Sequence, residues 1–370
     1  MSDSNIKEVF SKFKTAGTFF DAGPTGSGHI HKTFLVRTAE KDKPDFIIQW
    51  INHHVFPPVH EMMSNIRRVS RHIRKKRKQD EPAEVLEVIE TRNNKSYYTD
   101  SEGNHWRMYR KLDPGISYDI VPNNKVAYEA GKAFGQFIGD LRDMPADEIF
   151  PVIPDFHNIE KRFKNFTEAV REDKAQRVRE VKEEIEFAGR AIEEMLVIPR
   201  LEREGGLPVR VTHNDTKLNN VLFDENDNAV CVIDLDTVMP GLTLYDFGDT
   251  IRTAANTAEE DEADLDRITF SIPVFKAYSD GFIEKTASFL TQEEINLLPL
   301  SARYMTFIMG LRFLTDYIMG DVYYSIGYKE QNIRRCRAQF RLMELMNEKH
   351  QECKEIVKQS VTRHHRAAGE

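Results

Sequence analysis

The chain has 370 residues, 40% of them hydrophobic and 30% charged, and a formal net charge of −8 at pH 7. This length and apolar content suit a globular protein with two domains or two large lobes. The acidic balance excludes a basic surface over the whole molecule, so we expect no nucleic-acid partner. The one dense positive run, at 71–78, is interpreted as a solvated helix or loop face, with a site for nucleic acid or an acidic partner as the alternative.

Targeting and membrane signals are not visible in the sequence. Residues 1–14 contain neither a long apolar stretch nor a small-residue cleavage site, so we expect no secretory signal. The most apolar stretch, 305–314, is short and contains Arg312, which favours a buried helix over a membrane span. Three widely spaced cysteines fit a reducing compartment, so we expect a cytoplasmic protein. We also expect a monomer that contacts no membrane.

In the first 112 residues, short β-like runs alternate with turn signals. The runs at 34–37, 46–51 and 106–112 predict strands, and the pattern at 60–79 predicts a helix. These elements predict a small sheet with one helix packed on it. A Gly-rich stretch lies just before the first of these strands, where a hairpin would let backbone amides approach phosphate oxygens; a plain β-turn is the alternative.

After a Pro-Gly pair the pattern becomes mainly helical. Apolar residues at helical spacing predict a helix at 126–144 and one or two amphipathic helices over 159–196. Three short strands interrupt this region, and the turn residues ENDN join the last two in a hairpin. These strands are expected at 207–212, 221–224 and 229–234. We predict an α+β protein with a small β-rich N-lobe at 1–112 and a larger, mainly helical C-lobe at 113–370.

Polar residues are concentrated in the loop that leads into this hairpin. The stretch HNDTKLNN has the spacing H-x-D-x-x-x-x-N, and the strand after it ends in the acidic stretch VIDLD. Phosphoryl transfer needs a carboxylate near the acceptor hydroxyl, oxygen ligands for magnesium and a cation near the transferring phosphate. The loop supplies such a set, for which a polar turn at the hairpin base is the alternative interpretation. The predicted roles are orientation and deprotonation of the acceptor for Asp215, magnesium binding for Asn220 and Asp234, and help at the metal site for Asp236.

These two stretches resemble the aminoglycoside-phosphotransferase-like superfamily of kinases, which shares the bilobal protein-kinase-like fold. More narrowly, HNDTKLNNVLFD followed by VIDLDTVMPGLTLYDFGDTIR is similar to the N-acetylhexosamine 1-kinases, which phosphorylate the anomeric hydroxyl of N-acetylglucosamine or N-acetylgalactosamine. Weaker matches occur at 23–36 and 312–324. The resemblance implies an ATP- and magnesium-dependent kinase with direct in-line transfer. It also implies that Asp215 is the catalytic carboxylate and that Asn220 and Asp234 hold the metal.

The resemblance also suggests roles for two further residues of the loop. Lys217 stands two residues after Asp215, where protein kinases of the serine/threonine type place a lysine on the γ-phosphate. A solvent-facing lysine is the alternative. His213 is expected to brace the loop.

In this fold, ATP would lie between the lobes. The Gly-rich stretch is not a complete G-x-G-x-x-G, because His31 stands where the third glycine would be, and Gln49 stands where the strand lysine would be expected. We therefore do not expect the lysine–glutamate switch of protein kinases. The candidate nucleotide-binding residues are Gly26, Ser27 and Gly28 over the phosphates, Gln49, and Met108, Tyr109 and Leu112 beside the adenine.

The candidate acceptor pocket combines Arg312, Tyr323 and His31 with the catalytic carboxylate. Arg312 and Asp316 are four residues apart, so an intrahelical ion pair is the alternative. An arginine beside tyrosines disfavours a polycationic aminoglycoside without excluding it. Another small alcohol is a further alternative, and the missing strand lysine leaves open a nucleotide-binding pseudokinase or scaffold.

The letters DFG at 246–248 spell the metal motif of protein kinases, but Asp234 occupies the place of that aspartate after the catalytic loop. We expect Asp246 and Asp249 to cap and charge the start of a helix, with Asp249 at the cap. Bracing of the catalytic loop from behind by one of them is the alternative.

Overall fold

The computed structural model describes residues 3–26, 30–77 and 84–367. The strands of the amino-terminal part are β1 (Phe19–Pro24), β2 (Lys32–Thr38), β3 (Phe46–Ile51), β4 (Tyr98–Thr99) and β5 (His105–Arg110). They form one antiparallel sheet in the order β1-β2-β3-β5-β4. The helices α1 (Asp3–Ser11) and α2 (Val59–Lys76) pack on opposite faces of this sheet.

Alternate side chains of β5 face opposite sides of the sheet, as the two-residue period of a strand requires. Trp106 and Met108 are buried with α1 in a small core. Arg107 and Tyr109 face the other side, where Arg107 contacts α2. Gln49 of β3 pairs in register with Arg107, so two polar residues lie next to each other on this second face.

The carboxyl-terminal part is mainly helical. Its helices are α3 (Asn124–Leu141), α4 (Ile159–Glu172), α5 (Lys182–Met195), α6 (Val197–Arg203), α7 (Thr243–Ala254), α8 (Ile272–Thr286), α9 (Gln292–Met319), α10 (Gln331–Glu348) and α11 (His350–Ala367). Helix α9 contains the apolar stretch 305–314 and is buried along most of its length, as predicted. Among the described residues, no helix is long and apolar enough to cross a membrane.

Two small sheets support the polar loops. Their strands are β6 (Arg210–Thr212), β7 (Val221–Phe223), β8 (Ala229–Val232) and β9 (Met239–Gly241). Strand β6 pairs with β9, and β7 pairs with β8, both antiparallel. Residues 213–220 connect β6 to β7, and residues 233–238 connect β8 to β9. Both connections therefore run between the same two sheets.

The architecture has the predicted α+β composition, and several elements lie where the sequence predicts them. Strand β3 and the hairpin of β7 and β8 are in the predicted places, and the segment 159–196 contains α4 and α5. The sequence did not indicate α1, β1 or β9, which are short. Strand β6 is shorter than expected, and its partner β9 comes from outside the predicted hairpin.

The basic run at 71–78 ends α2 and faces acidic side chains. Arg71 lies 3.2 Å from Glu90, and Arg74 lies 3.9 Å from Glu87. Both arginine side chains are more than half exposed. The described part of the run is therefore a solvated face whose charge is partly balanced by neighbours.

Candidate active site

The loop between β6 and β7 is held from behind by α7. The carboxylate of Asp246 accepts the backbone N–H groups of His213 at 2.9 Å and of Asn214 at 2.7 Å. The Thr216 hydroxyl donates to the Asp246 carbonyl at 2.6 Å, and the Thr250 hydroxyl donates to the Thr216 carbonyl at 2.6 Å. All of these residues are buried. A single helix thus fixes the loop backbone, and phosphoryl transfer depends on such fixed positions.

These contacts correct the prediction that Asp246 and Asp249 cap a helix. Helix α7 begins at Thr243, and Leu242 before it makes no side-chain cap. Asp246 therefore lies in the first turn, with its carboxylate on the loop. Asp249 lies farther along the helix, in a buried ion pair with Arg252 at 2.8 and 3.1 Å. The alternative prediction, in which one of the two aspartates braces the catalytic loop, describes Asp246 correctly.

The DFG stretch as a whole serves packing. Phe247 is fully buried and contacts Phe282, with 5.2 Å between ring centroids. Gly248 lies so close to α9 that a Cβ there would be 2.3 Å from the Ser301 carbonyl oxygen. Burial raises the pKa of Asp246 to about 6, although the two backbone N–H donors favour its charged form. The three residues hold α7 against the loop, α8 and α9.

His213 links the two polar loops. Its Nε2–H donates to the Ile233 carbonyl at 2.9 Å, and its Nδ1 accepts the Asp215 backbone N–H at 3.3 Å. The ring lies against two phenylalanines of α3. These contacts fit the predicted bracing role, because they join the backbone of Asp215 to the residue that precedes Asp234.

Asp215, Lys217 and Asn220 lie together in the loop. Lys217 Nζ is 3.1 Å from an Asp215 carboxylate oxygen, and Asn220 Nδ2 donates to the Asp215 carbonyl at 2.8 Å. Burial alone would raise the pKa of Asp215, but the charge and hydrogen bond of Lys217, together with the charges of His213 and Arg252, outweigh burial and hold that pKa below its usual range. Asp215 is therefore an ionised, hydrogen-bond-accepting carboxylate at neutral pH. The Lys217 side chain is 47% exposed, so its ammonium group is accessible to another anion in the cleft.

Asp234 lies beyond the end of β8 in the left-handed conformation, with φ 59° and ψ 59°. Its side chain is exposed, and no described residue donates a hydrogen bond to its carboxylate. Protein atoms crowd the carboxylate nevertheless and weaken its hydration. This desolvation, followed by the negative charges of Asp236 and Asp215, raises the pKa of Asp234 to about 7.

The oxygen donors of this region suit magnesium. In proteins, Mg²⁺ is commonly held by one or two carboxylates together with substrate phosphates. Asp234 supplies an unpaired carboxylate, and the buried Asn220 side chain, fixed through Nδ2, supplies an amide oxygen. In the described part of the chain, no three His, Cys, Asp or Glu side chains form a metal site by themselves. The two predicted ligands therefore fit a metal that phosphates help to bind.

Asp236 does not fit its predicted role as a helper at the metal site, because its carboxylate is already paired. Arg107 binds both oxygens, with Nη2 donating to Oδ2 at 2.9 Å and Nη1 donating to Oδ1. His31 Nε2 lies 2.5 Å from Oδ2. Burial opposes the charge of Asp236, but Arg107 and His31 outweigh it and hold the pKa of Asp236 well below its usual range.

The same contacts argue against His31 as a ligand of the acceptor. Its Nδ1 accepts the backbone N–H of Asn52 at 3.1 Å, while Nε2 binds Asp236. Both ring nitrogens are therefore engaged within the protein, and the side chain is only 8% exposed. His31 ties the region after the Gly-rich stretch to the metal-binding segment.

Gln49 faces Arg107 as well. Its Oε1 accepts a hydrogen bond from Arg107 Nε at 2.8 Å, and its Nε2 donates to the Thr33 hydroxyl at 3.0 Å.

In the Gly-rich stretch, Gly26 has a φ of 79°, a left-handed conformation that favours glycine. Ser27 and Gly28, predicted to cover the phosphates, lie outside the described residues.

The Met108 side chain lies on the face of the sheet opposite to Gln49 and Arg107, so it does not support the predicted contact with the adenine. Its side chain is buried in the small core with α1, on the face of the sheet opposite to Arg107. Its carbonyl accepts the backbone N–H of Ile89 at 2.9 Å. Tyr109 and Leu112 belong to the large core on the other face, so these two remain candidates.

Arg312 lies among aromatic rings rather than in an ion pair. Its guanidinium is 5.6 Å from the ring centroid of Phe156, 5.9 Å from that of Tyr323 and 5.5 Å from that of Tyr324. The predicted alternative, an ion pair with Asp316, is wrong. Asp316 instead accepts, at 2.8–3.0 Å, backbone N–H groups of the loop that carries both tyrosines. Helix α9 thereby positions the aromatic residues around its own arginine.

Sequence reasoning missed three residues near these sites. Arg107 carries a charge in the middle of an apolar strand, which is a signal that the sequence offered. Arg162 donates to the Phe156 carbonyl at 3.1 Å and adds a second guanidinium beside the aromatic cluster, but its highly charged helix gave no such signal. His157 is buried and donates to the Asn214 carbonyl at 3.0 Å, and burial lowers its pKa to about 4.

Comparison with known families and structures gives a consistent match. The model of the phosphotransferase enzyme family matches residues 21–276, more than half of the chain. A microcompartment-associated aminopropanol kinase has 13% sequence identity and a TM-score of 0.65, over 95% of this chain and 99% of that chain. A spectinomycin phosphotransferase in complex with ADP and spectinomycin has 10% identity and a TM-score of 0.59, over 97% and 98%. An amicoumacin kinase in complex with AMP-PNP and Ca²⁺ has 11% identity and a TM-score of 0.54, over 92% and 93%.

These matches confirm the predicted kinase-like fold, with a small antiparallel sheet and a larger helical part. The family match spans the Gly-rich stretch and both polar loops. The chain belongs to the phosphotransferase enzyme family.

Proposed function

We propose that this protein is an ATP- and magnesium-dependent kinase that phosphorylates the anomeric hydroxyl of an N-acetylhexosamine. Its membership of the phosphotransferase family and its kinase-like fold support the broader activity, a small-molecule kinase. The observation that carries the proposal is the loop that brings Asp215, Lys217 and Asn220 together beside Asp234. The sugar specificity rests on the resemblance of this loop to the N-acetylhexosamine 1-kinases.

The transfer is a direct displacement at the γ-phosphorus. The acceptor oxygen forms a bond to phosphorus, the bond from phosphorus to the bridging oxygen of ADP breaks, and the hydroxyl proton passes to Asp215. Because Asp215 is ionised at neutral pH, it orients the hydroxyl as a hydrogen-bond acceptor before it receives the proton. Lys217, which pairs with Asp215 in the absence of substrate, binds the charge of the transferring phosphate.

Asn220 and Asp234 would hold the magnesium ion. When bound, the ion neutralises charge on the phosphates of ATP. His213 and Asp246 keep the loop backbone fixed, so that the side chains of Asp215 and Asn220 meet the substrates from set positions.

The surroundings of Arg312 support a neutral acceptor rich in oxygen atoms. No carboxylate of the described residues lies within ion-pair distance of Arg312 or Arg162. Arg312 Nη1 donates to Met309 Sδ and Arg162 Nη2 donates to the Phe156 carbonyl, and the other N–H groups are the donors that we propose for hydroxyl and acetamide oxygens. Tyr323 is 69% exposed and provides a wall for a sugar ring.

The same surroundings disfavour a cationic acceptor. Amines would meet two arginines near the aromatic cluster. The nearby acidic segment 258–266 is largely engaged: Glu260 lies 3.3 Å from Arg335, and Asp261 accepts from Tyr328 and Gln331. Aminoglycosides and small amino alcohols are therefore less suitable acceptors than N-acetylated sugars.

A cytoplasmic location is part of the proposal. The three cysteines are free and buried, which suits a protein that folds without disulfides.

A panel of acceptors tests the proposed specificity. The purified protein is incubated with ATP, magnesium and single acceptors, namely N-acetylglucosamine, N-acetylgalactosamine, glucose, kanamycin and ethanolamine, and products are resolved by mass. We expect a sugar phosphate from the N-acetylhexosamines and little or none from the amines. Phosphorylation of kanamycin or ethanolamine alone would contradict the sugar specificity, and ATP binding without transfer to any acceptor would favour the pseudokinase alternative.

A further inference from the structure

A buried cluster of three charged or titratable side chains joins the two parts of the molecule next to the metal-binding segment. We name it the interlobe clasp and define it as His31, Arg107 and Asp236. Arg107 is 1% exposed and Asp236 is 2% exposed, and Arg107 grips both carboxylate oxygens while His31 binds one of them. Bidentate arginine–carboxylate pairs fix geometry as well as charge.

In the amino-terminal part, hydrogen bonds to other residues fix both Arg107 and His31. Arg107 Nε donates to Gln49 at 2.8 Å, and Gln49 donates to Thr33 at 3.0 Å, so strands β5, β3 and β2 are joined in one row. His31 is fixed by the N–H of Asn52 at 3.1 Å. The guanidinium and the imidazole therefore reach Asp236 from supported positions.

On the carboxyl-terminal side, Asp236 stands two residues after Asp234, within the short 3-10 turn 235–237. The next residue, Thr237, donates from its hydroxyl to the His213 carbonyl at 2.7 Å, and its carbonyl accepts Asn214 Nδ2 at 3.1 Å. The turn that carries Asp234 is thus held by the clasp on one side and by the catalytic loop on the other.

We propose that the interlobe clasp positions the metal-binding turn in a chain that lacks the strand lysine of protein kinases. Protein kinases place that lysine on strand β3, where Gln49 stands here, and the nearest buried cation is Arg107, its register partner on β5. Both Nη atoms of Arg107 are on Asp236 rather than free for phosphates. Arg107 is therefore a positioning residue: through Asp236 it sets the turn that presents Asp234, and through the shared carboxylate it fixes His31.

The inference rests on the proposed function only in taking a magnesium nucleotide as the ligand. It differs from the sequence prediction that Asp236 binds the metal directly. If Asp236 were a metal ligand, removal of Arg107 would free its carboxylate and keep or strengthen magnesium-dependent binding. If Arg107 positions the site, its removal weakens that binding.

Nucleotide binding measured by calorimetry distinguishes these possibilities without any acceptor. The dissociation constant of ADP is measured with and without magnesium for the wild type, Arg107→Gln, Arg107→Lys and Asp236→Asn. We expect Arg107→Gln to weaken ADP binding in magnesium by about 10- to 100-fold, the range seen when groups that orient a metal ligand are lost, with a much smaller change without magnesium. Arg107→Lys keeps the charge but loses the bidentate geometry, so it should recover part of the loss.

A matched control uses the exposed pair Arg37–Asp21, which is also bidentate at 2.7 Å and lies in the same sheet. Arg37→Gln should leave both dissociation constants unchanged. If Arg107→Gln does not fold, Arg107→Lys carries the test, because it keeps a cation beside the Asp236 carboxylate while it loses the bidentate geometry, and it should still bind ADP in magnesium more weakly than the wild type.

The possible results distinguish a failure of the role proposed for Arg107 from a failure of the proposed kinase function. An Arg107→Gln protein, or Arg107→Lys in its place, that binds ADP in magnesium as tightly as the wild type or more tightly would overturn the inference and leave the kinase proposal intact. A wild type that binds no nucleotide under either condition would overturn the kinase proposal and the inference together.

Discussion

The proposed catalytic loop and the proposed acceptor pocket are built in different ways. The loop residues Asp215, Lys217 and Asn220 lie within six positions of one another, and a single helix fixes their backbone from behind. The acceptor pocket takes Phe156 and Arg312 from distant parts of the chain and is partly open to solvent.

The two proposed properties of the protein therefore depend on different kinds of structure. In our proposal, phosphoryl transfer depends on a short, rigid stretch whose residues can be recognised together in the sequence. The choice of acceptor depends on contacts between elements that only the folded chain brings together. Substitutions in the loop should therefore reduce turnover or stability, whereas substitutions in the pocket should change mainly the affinity for the acceptor.

The largest effect is expected from Asp215→Asn. The amide cannot take the hydroxyl proton and no longer attracts Lys217, so kcat should fall by about 10²- to 10⁴-fold. Steady-state kinetics with the best acceptor of the panel measure the change, and Asp147→Asn, at an exposed position, serves as control. Unchanged turnover in Asp215→Asn would remove this carboxylate from the mechanism.

Asp246→Ala should act on stability. It leaves the backbone N–H groups of His213 and Asn214 buried without their acceptor, which should lower the free energy of unfolding by about 2–6 kcal/mol. Urea denaturation measures the loss. The magnesium concentration for half-maximal activity should stay the same in Asp246→Asn, and a large change in it would mean that Asp246 binds the metal after all.

Arg312→Met should weaken binding of the acceptor without changing the binding of ATP. Loss of the guanidinium should raise the KM for the sugar by about 10- to 100-fold, since it removes hydrogen bonds from a charged group, and should leave the KM for ATP unchanged. The control is Arg190→Met, whose side chain is 70% exposed on α5. Equal increases in both KM values would indicate general damage to the fold rather than a role in the pocket.

The smallest of these effects concerns pH. His157 has a folded pKa of about 4 against 6.5 for an ordinary histidine, because it is buried, so the unfolded chain binds the proton first as the pH falls. The contribution of neutral His157 to the free energy of unfolding is fully present above about pH 6.5 and is lost as the pH falls toward 4. Between pH 7 and about pH 5 the free energy of unfolding should fall by about 2 kcal/mol. Urea denaturation of the wild type and of His157→Gln at both pH values tests this, and an equal loss in both proteins would contradict it.

What the sequence could predict follows the same division. The roles proposed for Asp215 and Asn220 could be inferred because their spacing is set by one stretch of backbone. The local pattern predicts that Asp236 binds the metal. The pattern cannot reveal that Arg107, which is 129 residues away, pairs with this carboxylate. Met108 was placed at the adenine because a shift of one residue along a strand exchanges its two faces, and only the packing of α1 decides which face is which.

Asn220 and Asp234 can be tested directly as the metal ligands by locating the bound ion. A crystal structure with ADP and Mn²⁺ in place of Mg²⁺ gives an anomalous signal that identifies the ligands of the ion. We expect this signal beside Asn220 and Asp234, with Asp236 still paired to Arg107 and Asp246 still on the loop backbone. An ion bound by Asp236 or Asp246, with Asp234 outside its coordination sphere, would contradict it.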